Sequence, residues 1–403
     1  MKFATSSRRE LKATKPILFL LAASCAATVA NLYYIQPLLS QVASSFGVPD
    51  TNAGIAATAT QLGYALGMFF FVPLGDRLER RGLIVKMTLL SGLFLFAVGS
   101  SPNLSLLCIF SVALGMATIV PQLIVPLIAH ISAPEERGGN IGTVLSGLLI
   151  GILLSRTFSG FWGEAFGWRA VFHTMSVVML VLAILLRFLL PPSPATTKEP
   201  YYKLLASLPT LAKTQPVLRE ASVNGFLMFG AFSAFWTSLV FYLSSPAFGM
   251  GSREAGLFGL AGVGGALIAP AVGRIADRKG ARFSVGIGVI CSLFSYVILL
   301  LAGHTITGLA VGVILLDLGT QSGQVSNQAR IQALSDEMRS RINTVFMISY
   351  FIGGAVGSSL SAFMWGKLGW IGVCLVGGGL MVLATVFHFV VYRQQEIKTA
   401  QEP

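Results

Sequence analysis

Two ionisable side chains sit where a bilayer-length apolar run would bury them: Asp317 in the run 305–329 and Arg156 in the run 140–163. An ionisable group in such a run costs at least about 2.5–3.5 kcal/mol to insert, so each is a functional candidate by default. Asp317 stands about 13 residues from one end of its run, about 20 Å at 1.5 Å per residue, close to a bilayer midplane. A carboxyl group held there is suited to carry a proton. Arg156 keeps its charge at any working pH. A permanent cation near a carboxyl group favours its ionised form, and withdrawal of the cation lets the proton bind. The pair therefore reads as a proton-coupling switch. Their depths differ by about 10 Å, which leaves direct contact open. The competing reading is that each satisfies a nearby carbonyl or polar side chain.

The elements that position these groups are apolar runs long enough to span a bilayer, which takes about 20 residues. They fall near 16–39, 54–75, 83–101, 104–131, 140–163, 169–190, 219–245, 254–276, 283–303, 305–329, 342–365 and 369–392. The expected fold is all-α with twelve membrane helices. The connector 191–218, rich in Pro and Lys, separates residues 1–190 from 219–403, six runs on each side. Composition agrees: 54% of the 403 residues are apolar and 11% charged, against about 25% charged in soluble domains. The start of the chain, with Arg8, Arg9, Lys12 and Lys15 before an apolar run, superficially resembles a secretory leader. That run continues to Leu39, too long for a leader and long enough to span.

The net charge of +12 would suggest nucleic acid on a soluble protein. Here the basic residues cluster between runs, and 24 of the 28 fall on one face. Arg169, Arg253 and Lys367 fall on the other, which places both termini in the cytoplasm. Cys25, Cys108, Cys291 and Cys374 lie inside runs without metal-ligand spacing and read as buried free thiols. His130, His173, His304 and His388 fall near run ends and read as solvated.

The chain repeats itself. Leu74-Gly75-Asp76-Arg77-Leu78-Glu79-Arg80-Arg81 follows the second run, and Gly273-Arg274-Ile275-Ala276-Asp277-Arg278-Lys279-Gly280-Ala281-Arg282 follows the eighth. Trp162-Gly163 and Gly167-Trp168 are echoed by Trp365-Gly366 and Gly369-Trp370. Two parallel copies of one six-helix unit are expected, with a substrate site between them. Small residues four apart (Ala59, Gly63, Gly67; Gly147, Gly151, Ser155, Ser159; Gly353, Gly357, Ser361) let backbones approach closely. They read either as static packing or as a sliding contact between the halves.

These residues resemble the major facilitator superfamily. The segment Gly273 to Arg282 is similar to that superfamily's loop motif in complete form. The copy at Asp76 has Val72 and Glu79 where the motif has glycines. The resemblance implies two pseudo-symmetric six-helix bundles around a central cavity lined by the first, fourth, seventh and tenth helices. It further implies that Asp76, Arg77, Arg80, Arg81, Asp277, Arg278 and Arg282 form conformational-switch loops, paired across the contact between the halves. Asn31-Leu32-Tyr33-Tyr34-Ile35-Gln36-Pro37 and Arg156-x-x-Ser159-Gly160 look like bacterial drug/proton antiporters and sugar-efflux-like exporters. The chain departs from those exporters at Ser111, where they carry an arginine, and at Ser155-Arg156, where they carry Gly-Pro.

On that resemblance the cavity-facing candidates for substrate binding are Asn31, Tyr34, Gln36, Gln122, Asn224, Trp236, Gln321 and Gln324. Uncharged polar groups among aromatics suit a small amphipathic or hydroxylated molecule. No Gly-x4-Gly-Lys-Ser/Thr loop supplies an ATP engine, and no metal or catalytic cluster suggests an enzyme. The expectation is proton-coupled export by a monomer in the bacterial inner membrane, with no cofactor and a proton gradient as energy source. A proton-coupled importer of a sugar or metabolite, and a non-transporting sensor or scaffold, are the alternatives.

Overall fold

The structure, a computed structural model, describes residues 14–133, 135–195, 197–262, 280–335 and 338–401, with side chains as far as Val391. It contains helices and no strands among the described residues. Asp277 and Arg278 lie outside them.

The first run does not form one helix. It folds as α1 (Lys15–Ala30), a turn at 31–35, a 3-10 turn (Gln36–Leu38) and α2 (Leu39–Phe46). Pro37 brings no backbone N–H, so the α-helical ladder cannot pass it. The Tyr33 carbonyl is taken instead by the Gln36 N–H at 3.2 Å. The motif that flagged this run is also the place where it breaks.

The remaining helices alternate between two faces. They are α3 (Asp50–Ala53), α4 (Ile55–Phe71), α5 (Leu74–Arg77), α6 (Arg80–Gly99), α7 (Leu104–Ala117), α8 (Val120–Ile131), α9 (Arg137–Phe166) and α10 (Trp168–Leu189). After the linker helix α11 (Tyr201–Thr214) come α12 (Pro216–Ser244), the helical residues 252–262 (α13), α14 (Ala281–Ala302), α15 (Ile306–Gln332) and α16 (Arg339–Gln401). The face carrying Lys15 and the linker is here the linker face, and the other the far face. Nine helices among the described residues are long and apolar enough to cross a membrane, with Lys15–Ala30 a shorter apolar one. The last of the nine, Arg339–Val391, is 53 residues long. It turns back on itself at Gly369, whose φ of 56° suits glycine. The two arms run past Gly225 and past Gly286, carrying Phe346 and His388 respectively to the linker face.

Small-residue stripes pack helices within each side of the linker. A Cβ on Gly147 or Gly151 would strike the α1 backbone at Ala22 or Ala26, and one on Gly63 or Gly67 would strike α7. Gly353 and Gly357 meet the α12 backbone in the same way. The stripes are therefore close-packing seams within a side. Contacts across the sides use other glycines, described below. Large apolar side chains point outward, among them Phe19, Phe96, Phe188 and Leu301. A soluble monomer does not present such a girdle.

Candidate functional site

Arg156 lies at the centre of the contact between the two sides. It sits past the middle of α9, toward the far-face end, and is 1% exposed. The break in the first run brings Gln36 to it: Arg156 Nε donates to Gln36 Oε1 at 2.7 Å. Tyr33, three residues earlier, offers its ring face 4.6 Å from the guanidinium carbon. From across the contact, α12 adds Trp236 at 4.1 Å and Phe232 at 5.4 Å. These two are four residues apart and so share one helix face. Each cation–π contact is worth about 0.5–2 kcal/mol. Three of them are comparable to the roughly 2.5–3.5 kcal/mol insertion cost of an arginine. Among the described residues no carboxylate stands within 4.0 Å of Arg156, and its Nη2 has no hydrogen-bond partner. The neighbouring Trp236 Nε1 also donates to nothing among them.

Asp317 is reached through α13. Glycines thin this helix where it crosses α9. Gly256 faces the Arg156 carbonyl and Gly160, and Gly259 faces the Arg156 Cβ. One turn further, a Cβ on Gly262 would stand 3.0 Å from Asp317 Oδ2. Asp317 is 3% exposed, and its Oδ2 has no partner among the described residues. The two charges are close enough to interact electrostatically, yet they form no ion pair.

The other sequence candidates divide. Gln36 and Trp236 join the Arg156 cage. Tyr34 turns instead to Phe158, edge to face with centroids 6.0 Å apart. Asn31 Nδ2 donates to Thr118 Oγ1 at 3.5 Å, inside its own side. Gln122 joins Tyr64 to Asn343 nearer the linker face, at 3.3 Å each. Gln324 accepts from Tyr350 at 3.1 Å. Asn224 is fully buried with both amide atoms unpartnered among the described residues, and Gln321 is half-buried.

Several participants escaped sequence reasoning. Tyr33 stands three residues before Gln36, and that spacing was the signal that could have found it. Phe232 had a visible signal, its four-residue spacing from Trp236. Gln61 was hidden in the second run. Its amide donates to Ser358 Oγ at 3.2 Å, and Ser358 in turn meets Thr237 at 2.8 Å.

The far face above the site is closed by direct contacts between the sides. Gln41 donates to Ser252 at 3.0 Å, Ser244 to Ser40 at 3.3 Å, and Ser359 to Thr58 at 3.1 Å. Thr157 Oγ1 donates to the Gly256 carbonyl at 3.0 Å. A cleft of about 410 Å³ lined by Lys15, Glu135, Glu136 and Asn140 opens at the linker face. It is a separate feature, because Arg156 lies 16 residues, about 24 Å, further along α9.

The first Asp-Arg turn pairs within itself, and the second reaches α12. Asp76 meets Arg80 at 2.9 Å. Glu79, standing where the motif has a glycine, caps α6 through the Gly82 N–H at 2.7 Å and accepts from the Ser193 N–H at 3.0 Å. Arg81 donates to the Leu190 carbonyl at 3.2 Å, so this turn clasps the linker. Arg77 is exposed. In the second copy Arg282 pairs with Glu220 of α12 at 3.0 Å, and Arg330 reaches the same carboxylate at 2.8 Å. Glu220 is thus a further buried acid, and His388, expected in solvent, is buried nearby.

The profile describing the Major Facilitator Superfamily matches residues 18–338 and 257–403. The uncharacterized transporter YgaY of Escherichia coli O157:H7 is 38% identical over 392 residues, covering 97% of this chain and 99% of that one. The uncharacterized MFS-type transporter YybF of Bacillus subtilis is 22% identical, covering 86% of each. Among solved structures, a bacterial homolog of the human lysosomal transporter Spinster, inward-facing and unoccupied, superposes with a TM-score of 0.74 at 17% identity, covering 96% of this chain and 98% of that one. A point mutant of the nucleoside transporter NupG superposes with a TM-score of 0.74 at 12% identity, covering 93% and 99%.

Proposed function

Because this chain belongs to the major facilitator superfamily, and is thus a multi-pass membrane transporter rather than an enzyme, we propose that it couples solute movement to protons by alternating access. Asp317 carries the proton, and Arg156 sets when the carboxyl group holds it. The observation that carries the reading is the pair itself: two buried charges at the contact between the sides, each with a polar atom unpartnered among the described residues. Opening that contact changes the distance between them, and hence the protonation of Asp317. No cofactor is required, since the proton gradient is the energy source.

The resemblance to drug/proton antiporters supports export, by antiport, of a small amphipathic or hydroxylated molecule across a bacterial inner membrane. Residues 1–190 and 219–403 then rock as two bundles, with both termini in the cytoplasm. The open donors on Arg156 favour a second reading, proton symport. A substrate that answers this cation removes what favours the Asp317 carboxylate, so substrate and proton bind together.

The test is flux in liposomes. Purified protein is given an imposed pH gradient and a mixed pool of small metabolites, and the pool is analysed by mass spectrometry. The wild type should move at least one solute with the gradient, and Asp317→Asn should lose the gradient dependence. If no solute moves, a sensor or scaffold role is the better account. The sign of the gradient that drives movement separates antiport from symport.

A further inference from the structure

The guanidinium of Arg156 is held in position but left without a counter-ion among the described residues. Gln36 uses its Nε, and three aromatic rings fix its plane. Among the described residues its Nη2 has no partner, and neither has the indole N–H of Trp236, whose ring it covers. Both groups are more than nine-tenths buried. A buried donor left unsatisfied costs about 1–3 kcal/mol, and more when it is charged. Two such donors on adjacent side chains, supplied by the two sides of the contact, point to an acceptor that is shared between them. Asp317 is the acid that shares this region, and it stands outside ion-pair distance.

The surroundings add a shape. Phe232 stacks on Phe229 with centroids 5.5 Å apart, and Phe229 stacks on Tyr350 at 4.0 Å. A row of stacked aromatic rings thus continues from the Arg156 cage along α12 to Tyr350. The permanent positive charge at the centre opposes a cationic substrate, and neutral amphipaths leave the guanidinium unanswered.

We propose that Arg156 is the receptor for the carboxylate of a planar, largely apolar monoanion, with Arg156 Nη2 and Trp236 Nε1 as its donors. The proposal rests on this contact being the transport site and takes up the second, symport reading above rather than antiport. It also fixes the sense of coupling. An anion bound at Arg156 neutralises the cation facing Asp317, and its own charge repels the carboxylate, so the anion and one proton bind as a neutral set. Tyr33 and Tyr350 are the other titratable groups that Asp317 faces among the described residues.

The experiment is thermal unfolding of the full-length protein in detergent at two pH values. The probes are benzoate and indole-3-acetate, each with its matched amide and amine. The carboxylates should raise the midpoint, more strongly at the lower pH, while amides and amines should not. Arg156→Gln should weaken the apparent affinity roughly tenfold to a hundredfold, as expected for a lost charge-assisted hydrogen bond. Arg156→Lys keeps the charge without the fork and should retain part of the effect. It serves as the test if the glutamine variant does not fold. Stabilisation by amides or amines equal to that by carboxylates would overturn the proposal, as would unchanged carboxylate binding in both Arg156 variants. Asp317→Asn should keep carboxylate binding and lose its pH dependence. Carboxylate binding in Asp317→Asn with an unchanged pH dependence would leave the anion receptor standing and remove the proton role of Asp317.

Discussion

Arg156 and Trp236 meet across the contact between the two sides of the linker, guanidinium carbon to ring centroid 4.1 Å apart. One is in α9 and the other in α12, so this contact joins the two parts that the proposed alternating access would separate. Each side chain shields the other from an environment in which neither has a full set of partners among the described residues.

This contact should be measurable as a coupling energy. A desolvated cation–π pair is worth about 2 kcal/mol. A double-mutant cycle with Arg156→Gln and Trp236→Leu, read by thermal unfolding, should return a coupling of about 1–2 kcal/mol. Additivity of the two changes would mean that the rings merely surround the arginine.

The crossing of α9 and α13 depends on glycine. A side chain at Gly256 would press on the Arg156 carbonyl and on Gly160. Gly256→Val should destabilise by about 1–3 kcal/mol through overpacking and force the far face apart. Cysteines at Gln41 and Ser252, whose side chains now bond at 3.0 Å, should cross-link readily in a background lacking the four native cysteines. Adding Gly256→Val should suppress that cross-link.

Much of this architecture is legible in the sequence. The runs, the linker, the doubled Asp-Arg turn and the two isolated charges all follow from hydropathy and spacing. The residues that complete the site do not. Tyr33 and Gln36 reach Arg156 because Pro37 breaks the first run, and hydropathy alone does not locate such a break. Gly256, Gly259 and Gly262 look like ordinary packing glycines until the crossing shows what they approach. Glu220 lies at the start of its run beside the linker, and only the arrival of Arg282 and Arg330 shows its burial. Sequence separates packing seams from moving contacts poorly, because both need small residues.

Glu220 should be structurally critical. It is 4% exposed and answers two arginines. Glu220→Ala would leave Arg282 and Arg330 without that carboxylate, at a cost on the order of 3–5 kcal/mol. Thermal unfolding should show the loss, with Glu220→Asp intermediate.

Glu79 explains why the first copy of the turn departs from the motif. Restoring the glycine, Glu79→Gly, removes the cap on α6 and the bond to Ser193. Because glycine is itself tolerated at this position, loss of the cap should cost only about a few tenths of a kcal/mol. Limited proteolysis should then cut residues 190–200 faster than in the wild type, and an unchanged rate would deny this turn its hold on the linker.

The proposed role of Asp317, uptake and release of a proton within the membrane, is open to direct chemical labelling. Dicyclohexylcarbodiimide attaches to protonated carboxyl groups in apolar surroundings, and mass spectrometry locates the adduct. An adduct at Asp317 should be abundant in acidic buffer, decline as the pH rises, and be absent in Asp317→Asn. An Asp317 that stays unlabelled at every pH, or is labelled equally at all of them, would contradict it.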